Sequence, residues 1–259
     1  MILEFEVTTM DFDKLMALVI GGERKSPPSD QEKLQAHMLC HRGLGLNEEG
    51  RYAEAMEKFE QSLRIIPLES SAIGGLACCL AGLGDGASAL QMLEKVAKYE
   101  PRNAEFALSR GRCLKEMGRL DEAADAFDAA QSLDPGNVAI VYEQGVCQVG
   151  MGRDDMALPN FESALRRDEK YAPAWEQKGD CLRRMGRPDE AVACLDKALA
   201  LTPELPSAWF SKAQALEGLG RGPEAGQCYA KFVSLAPAHQ ADKQFLARQK
   251  ALELGADPA

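Results

Sequence analysis

The chain has 259 residues and a formal net charge of −10, from 30 lysine and arginine against 40 aspartate and glutamate side chains. That balance, with no basic stripe along the sequence, excludes a nucleic-acid role, because phosphate binding requires clustered positive charge. Acidity favours solubility and, weakly, basic partners. No stretch reaches the ~18 apolar residues of a membrane helix, so no membrane insertion is expected.

The amino terminus, Met1-Ile2-Leu3-Glu4-Phe5-Glu6-Val7, lacks the basic region and apolar run of a secretory signal, and a cytoplasmic location is the default expectation. Leu3, Phe5 and Val7 alternate with Glu4, Glu6 and Thr8, a strand period in a chain that is otherwise helical in pattern. Phe12, Leu15, Met16 and Val19 then follow amphipathic-helix spacing, with Asp11 and Asp13 at the positive end and Gly21-Gly22 as the stop. Residues 1–28 thus form an extended arm, a short helix and a linker. Two roles suit this flank: the helix covers the first repeat's apolar edge, or the arm docks in a groove of its own or a second copy, giving self-association through residues 1–20. Ser29-Asp30-Gln31-Glu32 has the form of a capping box, so the next helix is expected to start about two turns before the repeat template.

From Ala36 six blocks of 34 residues follow without insertion: 36–69, 70–103, 104–137, 138–171, 172–205 and 206–239. The segment Glu49-Gly50-Arg51-Tyr52-Ala53-Glu54-Ala55 recurs as Met117-Gly118-Arg119-Leu120-Asp121-Glu122-Ala123 and as Met185-Gly186-Arg187-Pro188-Asp189-Glu190-Ala191. Seven residues before each turn glycine stands a small residue (Gly43, Ala77, Gly111, Gly145, Gly179, Ala213), and nine after it a large apolar one (Phe59, Leu93, Phe127, Phe161, Leu195, Tyr229). Small residues let helices cross closely, and Pro67, Pro101, Pro135, Pro203 and Pro237 close most blocks, so each unit reads helix, turn, helix, stop.

This pattern, with Trp175 and Trp209 early in the first helix, resembles the tetratricopeptide repeat. The resemblance implies an all-α fold: a right-handed superhelical solenoid of six repeats over 29–239, closed by a carboxy-terminal capping helix and tail at 240–259. Read as one elongated domain, it has no single central core to outgrow. Three departures stand out. Glu169 replaces the fourth repeat's proline, Pro159 lies in that repeat's second helix and is expected near its start, and Arg110, Gln144, Lys178 and Lys212 take a position often held by leucine. In the terminal helix Ala241, Phe245 and Leu252 share one face, the expected packing face.

In such repeats the first helix of each pair lines the concave face. The resemblance therefore places Cys40, Leu44, Gly74, Cys78, Leu108, Arg112, Tyr142, Val146, Glu176, Asp180, Phe210 and Gln214 in the groove, with Lys115 and Arg183 adding positive charge beside Glu143. Tyr142, Phe210, Arg112 and Arg183 are the candidate anchors, since aromatic and arginine side chains dominate such surfaces. The lysine and asparagine pattern of chaperone-binding members is missing, as is the asparagine ladder at the sixth position, which here holds His41, Gly75, Ser109, Glu143, Gln177 and Ser211. The implied function is a non-enzymatic adaptor that binds a protein or peptide segment, or a scaffold that self-assembles through its amino-terminal arm.

His37-Met38-Leu39-Cys40-His41 puts two imidazoles and a thiol at helical spacing, with Cys78 as a possible fourth ligand, a candidate zinc site in a metal-binding adaptor. Gly82-Leu83-Gly84-Asp85-Gly86 imitates a phosphate loop without the lysine that a nucleotide needs, so no cofactor is expected. With three histidines and no nucleophile beside an identifiable base, an enzyme is not expected. Cys79, Cys113, Cys147 and Cys181 fall at one repeat position, and equivalent helices at ~10 Å are too far apart for disulfides, so these read as buried thiols.

Overall fold

The computed structural model describes residues 16, 17, 19, 27–237 and 240–257. Among these there are thirteen α-helices and no strand, divided into two compact units with the chain boundary between Pro135 and Gly136, close to the end of the third repeat. The first unit holds three hairpins: α1 (Asp30–Glu48) with α2 (Tyr52–Ile65), α3 (Ser70–Gly82) with α4 (Gly86–Ala97), and α5 (Ala104–Glu116) with α6 (Leu120–Leu133). The second holds α7 (Val138–Gly150) with α8 (Asp154–Arg167), α9 (Ala172–Arg184) with α10 (Pro188–Leu201), and α11 (Pro206–Gly218) with α12 (Gly222–Leu235). The terminal helix α13 (Ala241–Glu253) follows.

Each hairpin turns on its glycine. Gly50, Gly84, Gly118, Gly152, Gly186 and Gly220 have φ between 70° and 90°, a left-handed conformation that a side chain resists. In the first turn the Arg51 N–H donates to the Leu46 carbonyl at 2.9 Å and the Gly50 N–H to Asn47 at 3.0 Å, the paired bonds of a helix ended by a left-handed residue. The arginine after the glycine then clamps the glutamate three residues on, Arg119 to Glu122 and Arg187 to Glu190, at 2.6 to 2.7 Å. In the second repeat Asp85 takes the arginine's place and accepts from the Ser88 N–H at 3.2 Å, capping α4 instead.

Where the first helix carries a glycine, the large residue of the second helix packs on it: Phe59 on Gly43, Phe127 on Gly111, Phe161 on Gly145 and Leu195 on Gly179. Phe59, Phe127 and Phe161 are fully buried, and a Cβ built on Gly43 or Gly145 would stand 2.7 or 2.6 Å from the ring of Phe59 or Phe161. Burying each ring contributes about 1.5–3 kcal/mol to its hairpin. The tryptophans tie successive repeats: the Trp175 indole N–H donates to the Glu169 carbonyl and that of Trp209 to the Pro203 carbonyl, both at 2.8 Å. Because the acceptor is a backbone carbonyl, Glu169 serves as well as a proline there.

The capping box forms as expected: the Ser29 N–H donates to Glu32 Oε2 at 2.8 Å, the Glu32 N–H to Ser29 Oγ at 3.3 Å, and α1 begins six residues before Ala36. The expected strand over Leu3, Phe5 and Val7 lies outside the described residues, as do Phe12 and Leu15. Met16 and Val19 are helical and buried in the first unit's core with Cys40, Ile73 and Leu80. Two expectations are corrected. Pro159 is the sixth residue of α8, one turn past the free N–H groups, so it removes the bond to the Asp155 carbonyl. In α13 the packed face is Ala247 and Ala251, with Leu254 and Ala256 following into the second unit's core, while Phe245 and Leu252 are 66% and 61% exposed. The chain near Leu254 crosses Gly226 so closely that a Cβ there would stand 3.1 Å from the Leu254 and Ala256 Cβ atoms.

Candidate functional site

In the first unit the expected groove residues divide by burial. Cys40 and Leu108 are buried in the packing between helices, which removes them from any binding surface, whereas Leu44 is exposed and Cys78, Arg112 and Lys115 are half-buried. Arg112 lies 3.8 Å from Glu105 on its own helix. Burial raises the Glu105 carboxyl above its usual range and Arg112 lowers it in part. Burial, then the nearby Glu69 carboxylate, pushes the Cys40 thiol up to about 12, so it stays protonated and is a poor metal ligand. His37 and His41 are exposed on α1 while Cys40 points into the core, so the proposed zinc cluster is pulled apart. Among the described residues no group of three or more His, Cys, Asp or Glu side chains is placed to hold a metal ion.

In the second unit Tyr142 stands edge-on to Tyr171, ring centroids 5.3 Å apart, and 5.9 Å from Phe161, so it is a fixed and half-buried ring beside a half-buried Val146. The other expected residues converge further along. Glu176, Gln177 and Asp180 of α9, Ser207, Phe210 and Ser211 of α11, Phe232 of α12, Gln240 and Lys243 of the terminal segment enclose a pocket of about 230 Å³. Its apolar side is held by ring packing: Phe210 lies 5.1 Å from Phe232 and 5.6 Å from Tyr229. Gln214, one turn on from Phe210, is half-buried outside this lining.

The polar side is braced from below. Asp180 accepts from Arg183 Nη2 at 2.8 Å, from Arg184 Nη1, and from the Ser211 hydroxyl at 3.3 Å. Arg184 reaches across to Asp154 of α8 at 2.6 Å, and that bond holds the Asp154 carboxyl below its usual range. Arg183, expected as a free positive anchor, is thus occupied with Asp180. Among the described residues Glu176 forms no such ion pair. Burial raises its carboxyl above the usual range, the Ser207 hydroxyl lowers it in part, and the Asp180 charge raises it again. The pocket therefore offers one under-compensated carboxylate, two amides, two hydroxyls and the Lys243 side chain at its edge, over an aromatic wall. Gln177 and Ser211 follow from repeat register, but Phe232 and Lys243 come from other helices, and only the fold reveals them.

Among the described residues no helix is long and apolar enough to cross a membrane. The family model of the tetratricopeptide repeat matches residues 75–138, 142–206 and 177–239. No curated protein sequence matches the chain. Among solved structures, PilW, a widely conserved type IV pilus biogenesis factor, is 25% identical with a TM-score of 0.61 over 71% of this chain and 90% of its own. MamA is 23% identical with a TM-score of 0.53, over 66% and 95%. YrrB, a tetratricopeptide protein with an unusual peptide-binding site, is 20% identical with a TM-score of 0.52, over 74% and 97%. These likenesses fit the helical hairpins above and show the fold, an all-α tetratricopeptide solenoid.

Proposed function

Because this chain belongs to the tetratricopeptide repeat family, we propose that it is a non-enzymatic adaptor that binds a segment of another protein along its first-helix face, with the Glu176 and Phe210 pocket as the principal contact in the second unit. The observation that carries this is the pocket itself. Residues of two successive first helices, α9 and α11, converge with the start of α13 on a concavity that is part aromatic and part carboxylate. Such a surface suits a partner side chain with an apolar stem and a polar or basic head, the combination that Glu176 and Phe210 complement. Ion pairs beneath the pocket and ring packing beside it preorganise it, so the scaffold loses little entropy on binding.

Panning a displayed random-peptide library against the full chain tests the proposal. Enriched peptides are expected to bind about tenfold more weakly, or worse, to Glu176→Gln and Phe210→Ala proteins whose circular dichroism is unchanged. Enriched peptides indifferent to both substitutions, or no enrichment at all, would overturn it.

A further inference from the structure

The eight cysteines are not equivalent: seven are buried, and Cys78 alone is half-buried. Cys78 also has a particular neighbour. One turn before it on α3 stands Gly74, and a Cβ built there would lie 3.2 Å from the Cβ of Ser109 on α5. That is closer than the ~3.8 Å typical between the Cβ atoms of a disulfide. The same step of four residues along each helix leads from Gly74 and Ser109 to Cys78 and Cys113, whose thiols are hydrogen-bonded to one another. The ~10 Å spacing that separates equivalent positions of neighbouring first helices is therefore lost at this crossing. The missing side chain at Gly74 and the small one at Ser109 permit the approach, and the pairing is offset by one residue from the repeat register.

We propose that Cys78 and Cys113 are a redox-active dithiol, closed by low-molecular-weight disulfides such as glutathione disulfide into an intramolecular bond that staples α3 to α5.

The two sulfurs have different parts in that reaction. Cys113 is fully enclosed, and the Cys78 sulfur together with burial holds its thiol far above the usual range, so Cys113 keeps its proton. Cys78 is the accessible sulfur and so the one a small disulfide reaches first, whereas its neighbour Cys79, buried and pushed up to about 12, stays inert. The Cys78 thiolate attacks one sulfur of glutathione disulfide, forming a mixed disulfide and expelling one glutathione thiolate. Cys113 then attacks the Cys78 sulfur, passing its proton to the second glutathione thiolate as that group is expelled. Two protein thiols are oxidised by two electrons, and one glutathione disulfide is reduced to two glutathione molecules.

The test is incubation of the full chain with glutathione disulfide, followed by thiol counting and peptide mapping by mass spectrometry. Free thiols should fall from eight to six, with the Cys78 peptide joined to the Cys113 peptide. Cys113→Ala should stop at one glutathione on Cys78, Cys78→Ala should not react, and Cys79→Ala should close as the parent does. A stable glutathione adduct on Cys78 in the parent chain, a bond to any other cysteine, or no reaction would overturn the proposal.

Discussion

Gly145 and Phe161 offer a direct measure of how tightly the hairpins are packed. A methyl added at Gly145 would stand 2.6, 2.9 and 3.0 Å from Cε1, Cζ and Cδ1 of Phe161, against the ~3.5–4.0 Å at which carbon atoms rest. The ring must move by up to about 1 Å, yet it is fully buried and its surroundings do not yield freely. Overpacking of this kind costs about 1–3 kcal/mol, offset by the ~1 kcal/mol that alanine gains over glycine within a helix, so Gly145→Ala alone should lose about 1 kcal/mol. Phe161→Leu alone, which leaves a gap beside Gly145, should also lose about 1 kcal/mol or more. In the double variant the methyl occupies space the ring has left, the arrangement already present where Ala77 and Leu93 are both buried. The double loss should fall short of the sum by about 1 kcal/mol, within the coupling range of touching residues. Guanidinium unfolding followed by the fluorescence of Trp175 and Trp209 reports on this unit without assuming that the whole array unfolds at once. Additive losses, or a Gly145→Ala protein as stable as the parent, would refute the packing argument.

Further substitutions probe other parts. Gly118→Ala, at φ 72°, should destabilise by about 1–2 kcal/mol, whereas Gly45→Ala, in the last turn of α1 with open space around it, should stabilise by up to ~1 kcal/mol; equal effects in a denaturant titration would reject the turn assignment. Trp175→Phe removes the bond to the Glu169 carbonyl and should cost about 0.5–1.5 kcal/mol by the same measurement, and a neutral result would deny that bond its role. Glu176 is raised in the folded state, so it favours folding when pH is low enough to protonate it and loses that contribution as pH rises through the raised value. Glu176→Gln should therefore raise the thermal midpoint at neutral pH, with the gain shrinking below the ordinary carboxylate range; a gain that grows in acid would show that the carboxyl is not raised.

The fold was legible because a fixed period leaves little freedom. Once Gly50, Gly84 and Gly118 mark turns and Phe59 and Phe127 face Gly43 and Gly111, the helices between them are determined by spacing alone. The same reasoning failed at the ends and at crossings. Phe245 and Leu252 have the hydrophobicity of a packing face, but the positions that α13 buries hold Ala247 and Ala251, small side chains that let helices lie close together. Cys40 and Leu108 occupy groove positions by register yet are covered, since register fixes direction from the helix axis and not what a neighbouring helix covers. Cys78 and Cys113 are one residue out of step with the repeat, so the period by itself does not bring them together. In the pocket Glu176, Asp180 and Phe210 follow from the period, while Phe232 and Lys243 depend on how α12 and α13 pack.

Site-directed photocrosslinking tests the adaptor account most directly. A benzophenone amino acid placed at Gln177, in the pocket lining, and in a parallel protein at the exposed Ala193 of α10, would be activated in the source cells and the adducts mapped to the residues they join. In an adaptor Gln177 joins a defined segment of a partner protein, the adduct is lost with Glu176→Gln, and Ala193 yields none of it. The same adduct from both positions, or no partner segment at Gln177, would contradict it.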